Sequence, residues 1–188
     1  MKKMMMMAIL ILATLTVNAQ NRVGTTTIQP KVGMNLANLA GDFDSDLRVG
    51  LVVGAEFEYG ASHMLGLSVG ALYSMQGAKG DGTTLKLDYI NIPILANVYV
   101  SRGLAVKMGL QPGFNVSARA SAKVEGVTVE GDIDGIKTVD LSLPIGISYE
   151  RNRWVFDARY NWGLTKVFDE GSAKNSVFQF TLGYKFRL

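Results

Sequence analysis

The sequence contains no cysteine and only one histidine, and charged residues make up just 19% of its 188 positions. Without cysteine there can be no disulfide, thiolate metal site, thiol nucleophile or cysteine-linked lipid anchor. The single histidine, His63, falls in a predicted turn and reads as a solvated residue rather than a general base. Beyond residue 19 there is no apolar run long enough for a membrane helix and no sustained 3.6-residue stripe. A hydrophobic content of 48% and a mean hydropathy of +0.17 exclude a disordered chain, and the length allows one domain.

The N-terminus carries an address. Lys2 and Lys3 precede an apolar stretch from Met4 to Val17, followed by Val17-Asn18-Ala19. This order of basic, apolar and small residues predicts a secretory signal over residues 1–19, cut after Ala19, with a domain over 20–188. The stretch is 14 residues long, short of a bilayer span. Removing it leaves seventeen basic against sixteen acidic residues, so the basic pI is partly the signal's own and nucleic acid is not an expected partner.

The remaining chain alternates with period two, as β-strands do. In the last segment Phe178, Phe180, Leu182, Tyr184, Phe186 and Leu188 share one face, and Gln179, Thr181, Gly183, Lys185 and Arg187 the other. Equivalent faces run through Ile28–Leu36, Leu51–Tyr59, Leu65–Tyr73, Leu104–Phe114, Val139–Tyr149 and Trp154–Leu164. The segment from Leu85 to Val100 changes the parity of its apolar residues between Tyr89 and Ile90, which predicts a bulge there or a strand beginning at Ile90. Connections alternate long and short: Ala40 to Leu47, Gly60 to Met64, Gly77 to Thr84, Ser101 to Gly103, Ser117 to Thr138, Glu150 to Arg153 and Lys166 to Asn175. This pattern predicts an all-β fold, an eight-stranded antiparallel up-and-down transmembrane β-barrel preceded by a cleaved signal peptide. Both termini would then lie at the short-turn, periplasmic side of the cell outer membrane.

Alternation alone also fits a secreted lipocalin-like carrier with an apolar cavity. Two features favour an apolar exterior. Many of the 21 glycines, among them Gly33, Gly54, Gly70, Gly109, Gly146 and Gly183, fall on the polar face, where a narrow lumen needs small residues and a water-facing surface does not. Aromatics also fall at both strand ends: Tyr59, Tyr149, Trp154 and Phe186 by the short turns, and Tyr73, Tyr89, Phe114, Trp162 and Phe178 by the long loops. Two such girdles are expected at two membrane interfaces, with outer-membrane lipids as partners.

The segments Asn18-Ala19-Gln20, Tyr89-Ile90-Asn91-Ile92-Pro93-Ile94, Leu143-Pro144-Ile145-Gly146 and Leu182-Gly183-Tyr184-Lys185-Phe186 together resemble the small outer-membrane β-barrel domain proteins of Gram-negative bacteria, the PorT-like family. The resemblance implies the barrel, its place in the outer membrane, and recognition by the barrel-assembly machinery through the C-terminal strand. It implies no catalytic constellation and no cofactor. The chain ends Phe186-Arg187-Leu188, where such barrels commonly finish on an aromatic residue.

Chemistry in the residues themselves is sparse. Outer-membrane enzymes that act on lipid A use a histidine near the outer surface, and none is available. Asp88 and Asp140 are loose candidates for a pair of rim carboxylates. Asp42, Asp44 and Asp46 have the opening spacing of a calcium loop without its glycine and distal glutamate. Counted from the short-turn ends, Lys31, Glu56, Lys107, Asp157, Arg159 and Lys185 all point inward in the lower half of the barrel, with Glu58 below. These seven either form a hydrogen-bonded network that closes the lumen or stand solvated in a wet vestibule. Ser117 to Thr138, with Gly131-Asp132 near its tip, reads as a protruding hairpin or a disordered loop. The expected function is a non-enzymatic barrel with a packed lumen, its loops meeting a surface or envelope protein or serving envelope integrity; a small pore or solute channel is the alternative.

Overall fold

In the computed structural model, residues 23–41, 46–80, 83–124, 127–133, 135–168 and 172–188 are described, and the expected signal segment lies outside them. The described chain is built of strands: β1 (Thr26–Ala40), β2 (Arg48–Gly60), β3 (Leu65–Gly80), β4 (Thr83–Asn91), β5 (Ile94–Ser101), β6 (Leu104–Val124), β7 (Val127–Asp132), β8 (Val139–Arg151), β9 (Trp154–Gly163), β10 (Lys174–Tyr184) and β11 (Phe186–Arg187). Every pairing is antiparallel, and β10 returns to β1 in a register running from Lys31 opposite Gly183 to Ala40 opposite Lys174. The walls of the sheet therefore close into a ring.

Ten of the eleven segments make eight walls. β4 and β5 both lie between β3 and β6 and form one wall, broken at Ile92-Pro93. Proline has no N–H to give the ladder, and the break is held by the Ile92 amide donating to Pro112 O at 2.8 Å and the Gly70 amide donating to Pro93 O at 3.0 Å. β10 and β11 form another wall, interrupted at Lys185, and β7 pairs only with the far end of β6.

The outer surface is apolar through the middle of every wall. Val32, Leu51, Val69, Met108, Ile147, Phe156 and Phe180 all stand exposed, Val69 with 48% of its surface accessible. None of the outward positions along this belt carries a charge, and an uninterrupted apolar band of this size is not a water-facing surface. The polar residues of the same strands are buried inside.

Three expectations are corrected here. The strand running through Leu85 to Val100 keeps one parity: Leu87, Tyr89, Asn91, Leu95, Asn97 and Tyr99 are all buried inward. The bulge lies on its neighbour, where Asp88 faces Ser117 and Tyr89 faces Asn115, so that Val116 of β6 is the extra residue. What inverts near Tyr89 is chemistry, because above this level the interior becomes apolar while Lys86 and Asp88 face outward. The proposed loop Gly77 to Thr84 is mostly strand, with Gly77 opposite Lys86 and Gly80 opposite Thr83. Finally, the hairpin of β6 and β7 pairs Ala120 with Gly131 and Arg119 with Asp132, which puts Gly131-Asp132 at the far end of the ladder from the Val124–Val127 pair and not near the tip.

At the short-turn end the β8–β9 hairpin turns through Asn152 and Arg153, both with positive φ, at 52° and 71°. Positive φ at both central residues is the two-residue turn whose twist matches that of the strands.

Candidate functional site in the barrel lumen

The interior is layered. The main charged layer gathers Lys31 (β1), Glu56 (β2), Lys107 (β6), and Asp157 and Arg159 (β9), each nearly inaccessible to solvent. Lys31 Nζ donates to Glu56 Oε2 at 2.8 Å and lies 3.7 Å from Asp157 Oδ2. Lys107 Nζ donates to Asp157 Oδ2 at 2.7 Å and lies 3.8 Å from Glu56. Arg159 donates through Nε and Nη2 to both Asp157 oxygens, at 2.8 and 2.9 Å, and through Nη2 crosses to Glu56 Oε1 at 2.9 Å. Three cations thus share two carboxylates, leaving one positive charge.

Neighbouring glycines make the room. Gly70 stands opposite Glu56, and a Cβ there would come within 2.6 Å of Glu56 Cγ; Gly146 stands opposite Arg159, with its imagined Cβ 2.6 Å from Arg159 Cβ. Gly70, Gly146 and Gly183 thus leave volume that long polar side chains occupy, whereas at Gly33, Gly54 and Gly109 a Cβ would meet a backbone oxygen of the neighbouring strand.

A second charged layer lies toward the short turns. Lys185 Nζ donates to Glu150 Oε2 at 2.8 Å and to the Tyr99 hydroxyl at 3.1 Å, and lies 3.5 Å from Glu58 Oε1. Glu58 also accepts from Asn97 Nδ2 at 2.8 Å and from the Tyr99 hydroxyl at 2.5 Å. One cation against two carboxylates leaves one negative charge, which balances the layer above. The sequence-based set left an excess of positive charge because Glu150 was assigned to a turn; its even position on β8, in phase with buried Ser142 and Ser148, was the signal that places it inward. Tyr99 and Asn97 fall on the inward side of the strand that alternation predicts from Ile90, but the lumen set gathered charged residues alone and so left them out.

Above the charges come uncharged side chains. Asn35 Nδ2 donates to Ser74 Oγ at 2.9 Å and Met75 O at 3.0 Å, and Asn161 Nδ2 to Gln179 Oε1 at 3.3 Å. Higher still, Asp140 accepts from Asn175 Nδ2 at 3.0 Å and from the Thr165 hydroxyl. The long-loop end is stopped by an apolar cluster of Leu39, Ala78, Leu87, Tyr89, Val167 and Ala173, flanked by Leu85, Ala118, Ile136 and Phe168.

The aromatic positions divide. Tyr59, Tyr149, Trp154 and Phe186 stand exposed on the outer wall near the short turns, and Phe114, Trp162 and Phe178 near the long loops. Tyr73 also faces outward, its hydroxyl donating to Asp88 Oδ2 at 2.8 Å. Tyr89 does not join them: it is 1% exposed, points into the apolar cluster, and accepts from Asn175 Nδ2 at 3.3 Å. Its membership of an outer girdle is corrected. Tyr184, on the apolar face of the last strand but not counted in the girdle, packs between Trp154 and Phe186 with ring centroids 5.2 and 4.8 Å away.

The other candidates do not converge. Asp88 lies outside the wall and Asp140 inside. His63 is exposed in its turn. Asp42 and Asp44 lie outside the described residues, and the Asp46 backbone pairs with Lys79. Among the described residues no group of three histidines or carboxylates is placed to hold a metal.

Residues 18–169 match the family described as outer membrane protein beta-barrel domain. No protein of curated function matches the sequence. Among solved structures, the chain resembles the attachment invasion locus protein Ail of Yersinia pestis, in complex with the heparin analogue sucrose octasulfate, at TM-score 0.54 and 14% identity, covering 88% of this chain and 100% of that one. It also resembles Neisserial surface protein A at TM-score 0.54 and 18% identity, covering 86% of this chain and 97% of that one. At such identities the likeness is one of fold.

Proposed function

Starting from a chain that belongs to the outer membrane protein β-barrel domain family, and so forms an integral barrel of the outer membrane, we propose a non-enzymatic, closed barrel that displays the β6–β7 hairpin at the cell surface. The observation that carries this is the bridge from Arg159 to Glu56, which ties β9 to β2 across the lumen while Lys31 and Lys107 draw in β1 and β6. The network joins four of the walls through side chains that are nearly inaccessible to solvent, and an apolar cluster occupies the long-loop end, both of which support a closed lumen. The short turns and both termini face the periplasm in this reading, and the extended strands with their hairpin face outward. The two similar solved barrels are by name an attachment protein and a surface protein, which supports a display role.

A small solute channel is the second reading. It draws on buried amide atoms without a protein partner, such as Gln29 Nε2, Gln111 Oε1 and Gln179 Nε2, which water would satisfy. Reconstitution of the purified barrel in planar bilayers separates the two. Silence is expected, whereas regular conductance steps would replace the closed barrel by the channel. In intact cells, added protease is expected to cut first within residues 117–138; first cleavage in the turn 61–64 would reverse the orientation.

A further inference from the structure

Three arginines from separate parts of the chain meet at the short-turn mouth. Arg102 comes from the β5–β6 turn, Arg151 from the end of β8 and Arg187 from β11, and they line one cleft of about 360 Å3. All three side chains are exposed, and none has a carboxylate within ion-pair distance among the described residues. Glu150, the one carboxylate lining the cleft, is already engaged by Lys185 at 2.8 Å. The cleft floor therefore carries the one excess negative charge of the Lys185 layer, and its rim carries three exposed cations.

We propose that this mouth is a binding site for a phosphate group, held by the guanidinium forks of Arg102, Arg151 and Arg187. A carboxylate is satisfied by a single fork, whereas a tetrahedral group with up to two negative charges accepts hydrogen bonds from several directions at once. Arginine at each of three independent positions matches that demand. The phosphate belongs either to a soluble anion entering from the mouth or to an anionic lipid headgroup folding over the rim, and the two sources give different outcomes in one experiment. The site depends neither on whether the lumen conducts nor on which side of the membrane the mouth faces.

The test uses the whole barrel in zwitterionic detergent, titrated with inorganic pyrophosphate at low salt and followed by amide shifts of Gly103 and Asn152. The same titration is run without pyrophosphate in nanodiscs of increasing phosphatidylglycerol content. Saturable shifts in the first arm assign a soluble phosphate, and in the second alone a lipid phosphate. The double variant Arg102→Gln/Arg151→Gln is expected to raise the apparent Kd about tenfold or more in the responding arm. Heat-modifiable migration on gels checks that it remains folded, and Arg187→Gln alone is the second variant should the double one fail that check. Lys79→Gln/Lys137→Gln, at the opposite end, is expected to leave binding unchanged. No saturable shift in either arm, or equal weakening by the distant lysine pair, overturns the site.

Discussion

Glu56 is the residue on which the lumen turns, because its two oxygens serve Lys31, Arg159 and, at longer range, Lys107. Glu56→Gln keeps the shape and leaves Asp157 alone against three buried cations. Removing one partner of a buried ion pair typically costs about 3 to 5 kcal/mol, so the denaturant midpoint of the refolded barrel is expected to fall by a corresponding amount. A midpoint that stays put would mean the layer is hydrated. Gly70 is the complementary test, since its missing side chain is the space for Glu56 Cγ. Gly70→Val is expected to destabilise the barrel by about 1 to 3 kcal/mol, read in the same unfolding assay, by crowding Glu56 Cγ and the Ala55 backbone oxygen, each 2.6 Å from a Cβ placed there. Lys31, Glu56, Glu58, Lys107, Asp157, Arg159 and Lys185 were all legible as inward by counting along alternating strands. Their pairing was not legible, because distances across a lumen depend on which strands stand opposite, and Glu150 was hidden by a turn assigned two residues too early.

At the scale of elements, β4 shows where hydrophobic alternation stops reporting geometry. Leu87 and Tyr89 point inward like Asn97 below them, yet the sequence appears to switch faces, because the wall leaves the apolar belt and its inside and outside exchange character. A period-two pattern reads the surroundings of a strand, and a strand that passes from one medium to another carries two patterns in a single register. The β6–β7 hairpin, wholly beyond the belt, is held partly by Glu130 pairing with Lys86 and by Arg119 within 3.9 Å of Asp132. The hydrogen bond and charge of Lys86 hold the Glu130 carboxyl below its usual range. A carboxylate lowered in this way contributes its contact fully above the ordinary carboxylate pKa and loses it as pH falls through the lowered value. As pH is lowered from neutrality through that lowered carboxylate value, the Lys86–Glu130 contact is expected to dissolve while the β6–β7 amides remain paired, as followed by NMR. Loss of the pairing in step with the contact would show that the ion pair, rather than the ladder, holds the hairpin.

For the whole molecule, the belt fixes the medium. An arginine at the midplane of a lipid-facing wall costs roughly 2 to 4 kcal/mol, so Val69→Arg is expected to impair heat-modifiable assembly, whereas a lumen-side change such as Ser68→Thr is not. Normal assembly of Val69→Arg would contradict a lipid-facing position for that wall. The up-and-down order of walls and the closed ring were legible from segment count and turn length alone, while the breaks at Pro93 and Lys185 were not, since each interrupts a wall without redirecting it. The bridge from Arg159 to Glu56 also joins residues 103 positions apart, on strands from opposite ends of the chain. Before β9 and β10 arrive, a partial sheet carries Lys31 and Glu56 without the crossing guanidinium, and such long-range pairings form slowly because the intervening chain must first be ordered. Closure then supplies the missing charges and the last backbone ladder in one event. The lumen network thus acts as a clasp in time: half-built barrels are penalised, finished ones are locked, and few stable species should lie between.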